Sequence, residues 1–451
     1  MNLDPPLSAP PPNRRLAIEH VSIEQLRFNP RNPRRHSPKK IARLTDSLRA
    51  FGLNGAVRTD GDLMILAGEA LVRAAKVLGW AEIPVIRLDH LSPAQAEAYM
   101  IADNRIAELS ENDPKALGAI FRDLAKMELD FSLEVTGFEM GEIDLFIEGL
   151  DLIPEAEESL EDLAPQGPPV TKLGDQWMLA NHRILCSDAQ APISYEKLMG
   201  SRKAAACITD PPYGGKISGY LPSQGKTKHR EFVMGSEGLS DEGLESFLTP
   251  VMAQISKHAS GGALIYVFMD WRGIETLLRV GRKTFSELKN IICWAKTNAG
   301  MGTLYRSQHE LVALFKNGQG RHRNNVQLGR MGRYRTNLWS YAGMTSAGAR
   351  STEEGDLLAL HPTVKPVSMI ADAILDCTAR GDVVLDPFLG SGTTLMASER
   401  VGRRCYGLEL DPLYVDVAVR RWQRLTGQIA LHAETGIAFD EVAEVREADH
   451  G

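Results

Sequence analysis

Two short apolar runs in this chain each end on an aspartate followed by proline, and they constrain the fold more than any other feature. Ala204–Thr209 runs into Asp210-Pro211-Pro212-Tyr213. Val383–Leu385 runs into Asp386-Pro387-Phe388-Leu389-Gly390-Ser391-Gly392-Thr393-Thr394. A short continuous apolar run bounded by turn residues reads as a buried strand. From about 170 to 427 such runs alternate with helical segments: Trp177–Ala180, Arg183–Cys186, Ala205–Thr209, Ala263–Phe268, Asn290–Trp294, Leu311–Phe315, Val383–Leu385 and Cys405–Glu409. That pattern predicts an α/β domain whose mostly parallel sheet carries helices on both faces. Ligands in such sheets bind at the carboxyl ends of strands. Both aspartates stand at such ends.

The second segment has the composition of a cofactor loop. Gly390 and Gly392 remove side chains where a ligand must touch backbone, and Thr393–Arg400 continues as a helix. Glu409 ends the next strand, nineteen residues after Gly390, where an acid can bind both hydroxyls of a ribose. No lysine follows the turn, which excludes a P-loop, and the third glycine of a dinucleotide fingerprint is absent.

The first segment fits an amino group attached to a flat ring. The exocyclic amine of adenine is a poor nucleophile because its lone pair is delocalised into the ring. Two acceptors aimed at its two hydrogens favour a pyramidal nitrogen and free that lone pair. Asp210 supplies a carboxylate, ionised at neutral pH from an ordinary pKa of about 3.9. The Pro211 carbonyl supplies the second acceptor, stiffened by the fixed φ angles of Pro211 and Pro212. Tyr213 offers a face for stacking, and a base inside a duplex must be flipped out to reach it.

The 451 residues predict two or three domains. No apolar run approaches 18 residues and the proline-rich start lacks an apolar stretch, so neither a membrane span nor a secretory signal is expected. Cys186, Cys207, Cys293, Cys377 and Cys405 are dispersed, without a CxxC pair, which points to reduced thiols in a cytoplasmic protein and to no metal site. The net charge of −7 hides an asymmetry: Leu311–Thr352 contains no acid but carries Lys316, Arg321, Arg323, Arg330, Arg333, Arg335 and Arg350. Such a stripe is the footprint expected for nucleic acid. The acidic, then proline-rich stretch 151–169 reads as a linker. It separates a unit at 17–150 from one at 170–430, with tails at 1–16 and 431–451.

From His182 to Gly427 the chain resembles the DNA amino-methyltransferases, of the adenine-N6/cytosine-N4 family, in which the catalytic motif precedes the cofactor motif. His182–Asp188, Ile292–Lys296, His309–Phe315, His361-Pro362-Thr363-Val364-Lys365-Pro366, Trp422 and Leu425-Thr426-Gly427 follow the family's order. Ser187 departs from the usual glycine. The resemblance implies S-adenosylmethionine as methyl donor, no metal, and double-stranded DNA as substrate. It assigns catalysis to Asp210, Pro211, Pro212 and Tyr213. Cofactor binding falls to Asp188, Thr363, Lys365, Asp386, Phe388, Gly390, Ser391, Gly392, Thr393 and Glu409. Asp210 resembles the adenine-N6 branch, with cytosine-N4 transfer as the alternative; RNA or protein amine methylation, where Asn-Pro-Pro-Tyr is commoner, is a weaker one. Lys226, Lys228 and Arg230, in a Gly/Lys/Ser-rich loop expected to close over the base, and Arg321, Arg323, Arg330, Arg333 and Arg335 are the candidate DNA contacts. A homodimer is compatible with this reading.

Ile23–Leu109 resembles the ParB/Srx-like domain through Asn29-Pro30, Ser47–Gly52, Ile65–Gly79, Ile83-Pro84-Val85-Ile86 and Ile101–Arg105. Gly68-Glu69-Ala70-Leu71 places leucine where the family's phosphate motif has arginine, and Arg73 faces about 200° away from position 71 on a helix. Nucleotide binding is therefore not expected. An accessory DNA- or protein-contact module using Arg27, Arg31, Arg34, Arg35, Lys39 and Lys40 is. A ParB-like partition protein with a degenerate catalytic half is the alternative from another class; the pairing of Asp210 with Glu409 opposes it.

Overall fold

The computed structural model describes residues 16–108, 112–127, 129–148, 168–213, 240–296, 304–329, 333–341 and 365–448. Residues 1–15 of the tail expected at 1–16, most of the linker, the loop with Lys226, Lys228 and Arg230, Arg330, and Thr363 lie outside these residues. Contacts divide the chain into one unit of residues 1–139 with 146–150, and a second of 140–145 with 151–451.

The first unit holds β1 (Ile18–Ser22), β2 (Val57–Thr59), β3 (Ile65–Ala67) and β4 (Glu82–Arg87) in the order β1-β4-β2-β3. Val21, Ile23, Val57, Ile65, Val72, Ile83 and Val85 form its core. The helix Pro38–Phe51 starts as its sequence dictates: Ser37 accepts a hydrogen bond from the Lys40 N–H and Pro38 occupies the first turn. Ile41, Leu44, Leu48 and Phe51 recur at helical spacing, and the face they form is only partly covered. Leu48 is buried and Ile41 and Leu44 are half-buried, while Phe51 is exposed and meets Phe131 edge-on at 5.3 Å. Leu71 packs against the core. Arg73 is exposed, bonded to Glu69 at 2.7 Å and lying 4.8 Å over the Phe28 ring. Further along, the helix Pro114–Ala125 is capped by Asp113, and Phe121 packs with Phe138 and Phe146 at 5.5 and 6.2 Å.

In the second unit the described strands are β5 (Gln176–Leu179), β6 (His182–Cys186), β7 (Ala204–Thr209), β8 (Ala259–Met269), β9 (Glu287–Ala295), β10 (His309–Lys316), β11 (Leu338–Ser340), β12 (Val383–Asp386), β13 (Arg404–Glu409) and β14 (Leu431–His432). They form one sheet in the order β11-β9-β10-β8-β7-β12-β13-β6-β5-β14. From β8 through β6 every pairing is parallel, and the edges are antiparallel apart from β11 on β9. Both faces are covered, so β12 is apolar at every position before its aspartate. Val383 and Leu385 pack in one core cluster and Val384 in another.

Two boundaries need correction. The segment after 431, expected as a tail, is built into the fold. Phe439 at the head of the helix Phe439–Ala448 is buried, with its ring 4.9 Å from Trp177, and Arg446 bonds Asp175 at 2.6 Å. Residues 140–145, expected in the first unit, belong with the second. Asp144 is buried and meets both Arg403 guanidinium nitrogens, at 3.0 and 2.7 Å.

Candidate active site

β7, β12 and β13 are neighbours and run parallel, so Asp210, Asp386 and Glu409 leave the sheet at the same end. At about 4.8 Å between strands, the tips of β7 and β13 are about 10 Å apart. This is the end at which an α/β sheet presents its ligands. β12 meets β7 on one side and β13 on the other, and from there the chain continues outward in both directions.

Asp386 is buried and joins the two motifs. Its Oδ1 accepts from the Thr209 hydroxyl at 3.0 Å and the Phe388 N–H at 3.1 Å, and its Oδ2 from the Thr394 hydroxyl at 2.6 Å. Burial pushes its pKa up to about 6 against those bonds. The two loop glycines answer different demands. Gly392 has φ +92°, and a Cβ there would stand 2.8 Å from that of Ala418, so it serves close packing of the helix Pro412–Thr426. Gly390 has φ +55° and nothing within 4 Å of its would-be Cβ, which leaves open space beside the loop backbone. Ser391 is held from behind, its carbonyl accepting from the buried Arg421 at 2.5 Å. Thr393 is buried at the start of its helix, and the Phe388 ring is half-buried 5.8 Å from that of Phe247.

Glu409 accepts the Gly390 N–H at 2.8 Å and the Asp411 N–H at 2.9 Å, one on each oxygen. Burial raises it to about 7 although these bonds favour the carboxylate. Each oxygen keeps a further lone pair for a hydroxyl donor. Cys186 pairs with Glu409 in the sheet, which places Asp188, two residues past the end of β6, at the neighbouring tip. Open space at Gly390, flanked by two acids, fits a ribose with an adjoining heterocycle.

The acid of the first motif stands in a cluster that sequence reasoning did not assemble. The Tyr213 hydroxyl donates to Asp210 Oδ1 and lies 3.1 Å from Glu310 Oε2. Lys365 Nζ binds Asp210 Oδ2, Glu310 Oε2 at 3.1 Å and the Tyr213 oxygen at 3.4 Å. Lys296 binds the other Glu310 oxygen. Lys365 and Glu310 are buried, whereas a quarter of the Asp210 side chain is exposed. Burial pushes Asp210 up, opposed by Lys365. Glu310 is also penalised by burial, but Lys365 and Lys296 outweigh this and hold it below the usual carboxylate range. Lys365, assigned by resemblance to the cofactor, therefore stands on Asp210, the acid assigned by resemblance to catalysis. The signal for Glu310 was an acid directly before the apolar run Leu311–Phe315.

The basic stripe is placed differently from its expectation. Arg333 and Arg335 turn inward to the helix Val367–Cys377. Arg333 meets Asp372 at 2.9 Å and Asp376 at 3.1 Å; Arg335 meets Asp376 at 3.0 Å and Asp372 at 3.3 Å. This corrects the reading of both as phosphate contacts: their guanidiniums answer the buried Asp376 and the half-buried Asp372. Arg321 is exposed and Arg323 half-exposed, but a Cβ on Gly262 would touch the Arg321 backbone, and Gly262 lies near the start of β8. Val267, level with Thr209, is five residues further along, roughly 15–20 Å away. The catalytic end instead presents Leu304, Tyr305 and Arg306, all exposed, on the β9–β10 connection beside Glu310.

Comparison with known proteins matches this architecture. Residues 204–420 match the DNA methylase family, residues 11–104 the ParB N-terminal domain and residues 115–173 the ParB-methyltransferase HTH domain. Residues 204–420 are thus a DNA methylase domain of the N6/N4 family, and ParB-type domains precede it in the chain. It is 26% identical over 239 residues to the type II methyltransferase M.HinfI of Haemophilus influenzae, covering 48% of this chain and 62% of that one. It is 37% identical over 91 residues to M.ScaI of Streptomyces caespitosus, covering 20% and 29%. The chain thus spans less than two thirds of either relative. Among solved structures it is similar to the PvuII DNA methyltransferase, described as cytosine-N4-specific, at 15% identity and a TM-score of 0.41, covering 61% of this chain and 95% of that one. The HTH match falls on the helices Pro114–Ala125 and Met140–Glu148, which the sequence reading had left unassigned within the first unit. Among the described residues no helix is long and apolar enough to cross a membrane.

Proposed function

We propose that the catalytic unit transfers a methyl group to the exocyclic N6 of an adenine flipped out of double-stranded DNA. One observation carries this reading: a partly exposed carboxylate, Asp210, stands beside an aromatic ring, at the same sheet end as the open glycine turn and Glu409. S-adenosylmethionine, held by Asp188, the 386–393 loop and Glu409, supplies the methyl as an electrophilic sulfonium substituent. Glu409 accepts from its ribose hydroxyls, and Gly390 lets the backbone come close. Asp210 and the Pro211 carbonyl accept the two amine hydrogens and leave the nitrogen lone pair pointing away from the ring. Tyr213 stacks against the base, and positioning supplies most of the acceleration. Phosphates near the catalytic end meet Arg306, with Arg321 and Arg323 reaching only DNA that extends to the far end of the sheet.

The test is direct. Full-length protein, labelled S-adenosylmethionine and unmethylated duplex DNA are incubated, and the DNA is digested to nucleosides for mass spectrometry. N6-methyladenine is expected. N4-methylcytosine would move the target to the other base of the family, and no label in DNA would refute the reading.

A further inference from the structure

In the structure the acceptor meant for a substrate amine already holds an amine. Lys365 presents its ammonium to Asp210 Oδ2, inside a pocket walled by the Phe268 and Tyr213 rings, 5.1 and 5.8 Å from the nitrogen. A target amine and this ammonium offer the same thing, N–H donors to one carboxylate, so both cannot occupy Asp210 fully. The second carboxylate, Glu310, lies 3.1 Å from the same nitrogen and is itself anchored by Lys296, which lies over the Trp294 ring at 4.9 Å. Resting on the functional reading above, we propose that Glu310 is a positioning residue: it keeps Lys365 beside Asp210 before the base arrives and takes the ammonium over when the target amine claims the acid. The vacated cation thus remains paired inside the pocket, where an unpaired buried ammonium would be costly. The exchange moves one ammonium between two carboxylates and makes or breaks no covalent bond.

The arrangement also explains why two lysines face two acids here. With Lys296 fixed on one Glu310 oxygen, the other already lies 3.1 Å from Lys365 and can take its ammonium over, and the Tyr213 hydroxyl, able to donate to either acid, follows the change. The groups facing Asp210 are then Lys365, Glu310, Tyr213 and, from β12, Asp386.

The test is a double-mutant cycle on full-length protein, with methyl transfer to a duplex oligonucleotide measured at pH 8.5 and S-adenosylmethionine affinity measured separately. Glu310→Gln removes the carboxylate proposed to receive Lys365, so kcat/KM for DNA falls about tenfold or more while cofactor affinity stays within about twofold. Adding Lys365→Met to that variant restores several-fold, because the competitor is gone. Wild-type rates in Glu310→Gln, or a double variant no faster than Glu310→Gln, would overturn the proposal. Should Glu310→Gln fail to bind cofactor through misfolding, Lys365→Met alone decides. Loss of the cation lets burial dominate Asp210, so the acid limb of the kcat/KM–pH profile moves up by about one unit or more. An unmoved limb with cofactor affinity down tenfold would instead put Lys365 on the cofactor. Inactive wild-type protein would defeat the functional reading, a result distinct from any of these.

Discussion

The catalytic unit contains two clusters in which two cations face two carboxylates and a tyrosine. One joins Lys296, Lys365, Asp210, Glu310 and Tyr213; the other joins Arg333, Arg335, Asp372, Asp376 and Tyr341. The first uses lysines, compact point charges on flexible stems, at a strand tip where Asp210 is partly exposed. The second uses arginines, whose planar forks grip two carboxylates on one helix face, with Trp339 stacked 5.1 Å from Arg335. Charge balance is alike in both, but ease of exchange is not. Where an ion pair must yield to a substrate, the chain places lysine; where it must fasten a loop to a helix, it places arginine.

Breaking each cluster should therefore read out differently. Asp210→Ala is expected to lower methyl transfer about a thousandfold and leave S-adenosylmethionine affinity within about threefold; isotope transfer and calorimetry on one preparation check both. Asp376→Ala leaves the buried Arg333 and the half-buried Arg335 sharing one carboxylate and should remove about 3 kcal/mol, seen as a lower denaturation midpoint with transfer per folded molecule retained. The reverse pattern, lost activity at an unchanged midpoint, would dissolve the contrast.

A smaller effect concerns pH. Burial penalises the charge of Glu409 and raises its pKa to about 7, and the ribose hydroxyls proposed to bind it need its ionised form. Acidification below 7 protonates it, so cofactor affinity falls roughly tenfold per pH unit there, while alkaline pH leaves affinity flat. Glu409→Gln should bind weakly and lose that slope. Smallest is the contrast between sheet ends. Arg306→Ala should weaken DNA binding a few-fold and reduce its salt dependence, whereas Arg321→Ala leaves binding to a short duplex unchanged. Equal losses would mean the DNA reaches both ends of the sheet.

Much of this was legible in the sequence, for reasons that differ by residue. The strands of the second unit are continuous apolar runs because helices cover both sheet faces, and the eight expected there each coincide with a strand. A capping hydroxyl followed by proline, as in Ser37-Pro38, is readable as a helix start because local hydrogen bonding enforces it without tertiary help. The edge strands β1, β11 and β14 and the three-residue interior strand β2 were missed because they are short, and in β1 only Val21 is buried. The arginine stripe misled because counting charges along a chain cannot reveal carboxylates on a distant helix. Glu310 stayed hidden for the same reason: its partners come from positions 213, 296 and 365, which only the sheet order brings together.

The bond from Thr209 to Asp386 makes one rigid piece of the two turns that would cradle donor and acceptor. Whatever free energy the first arrival contributes to seating the second must, by thermodynamic reciprocity, be returned in full when the order is reversed. Thr209→Val should uncouple the two occupancies, leaving each molecule to bind as though the other were absent.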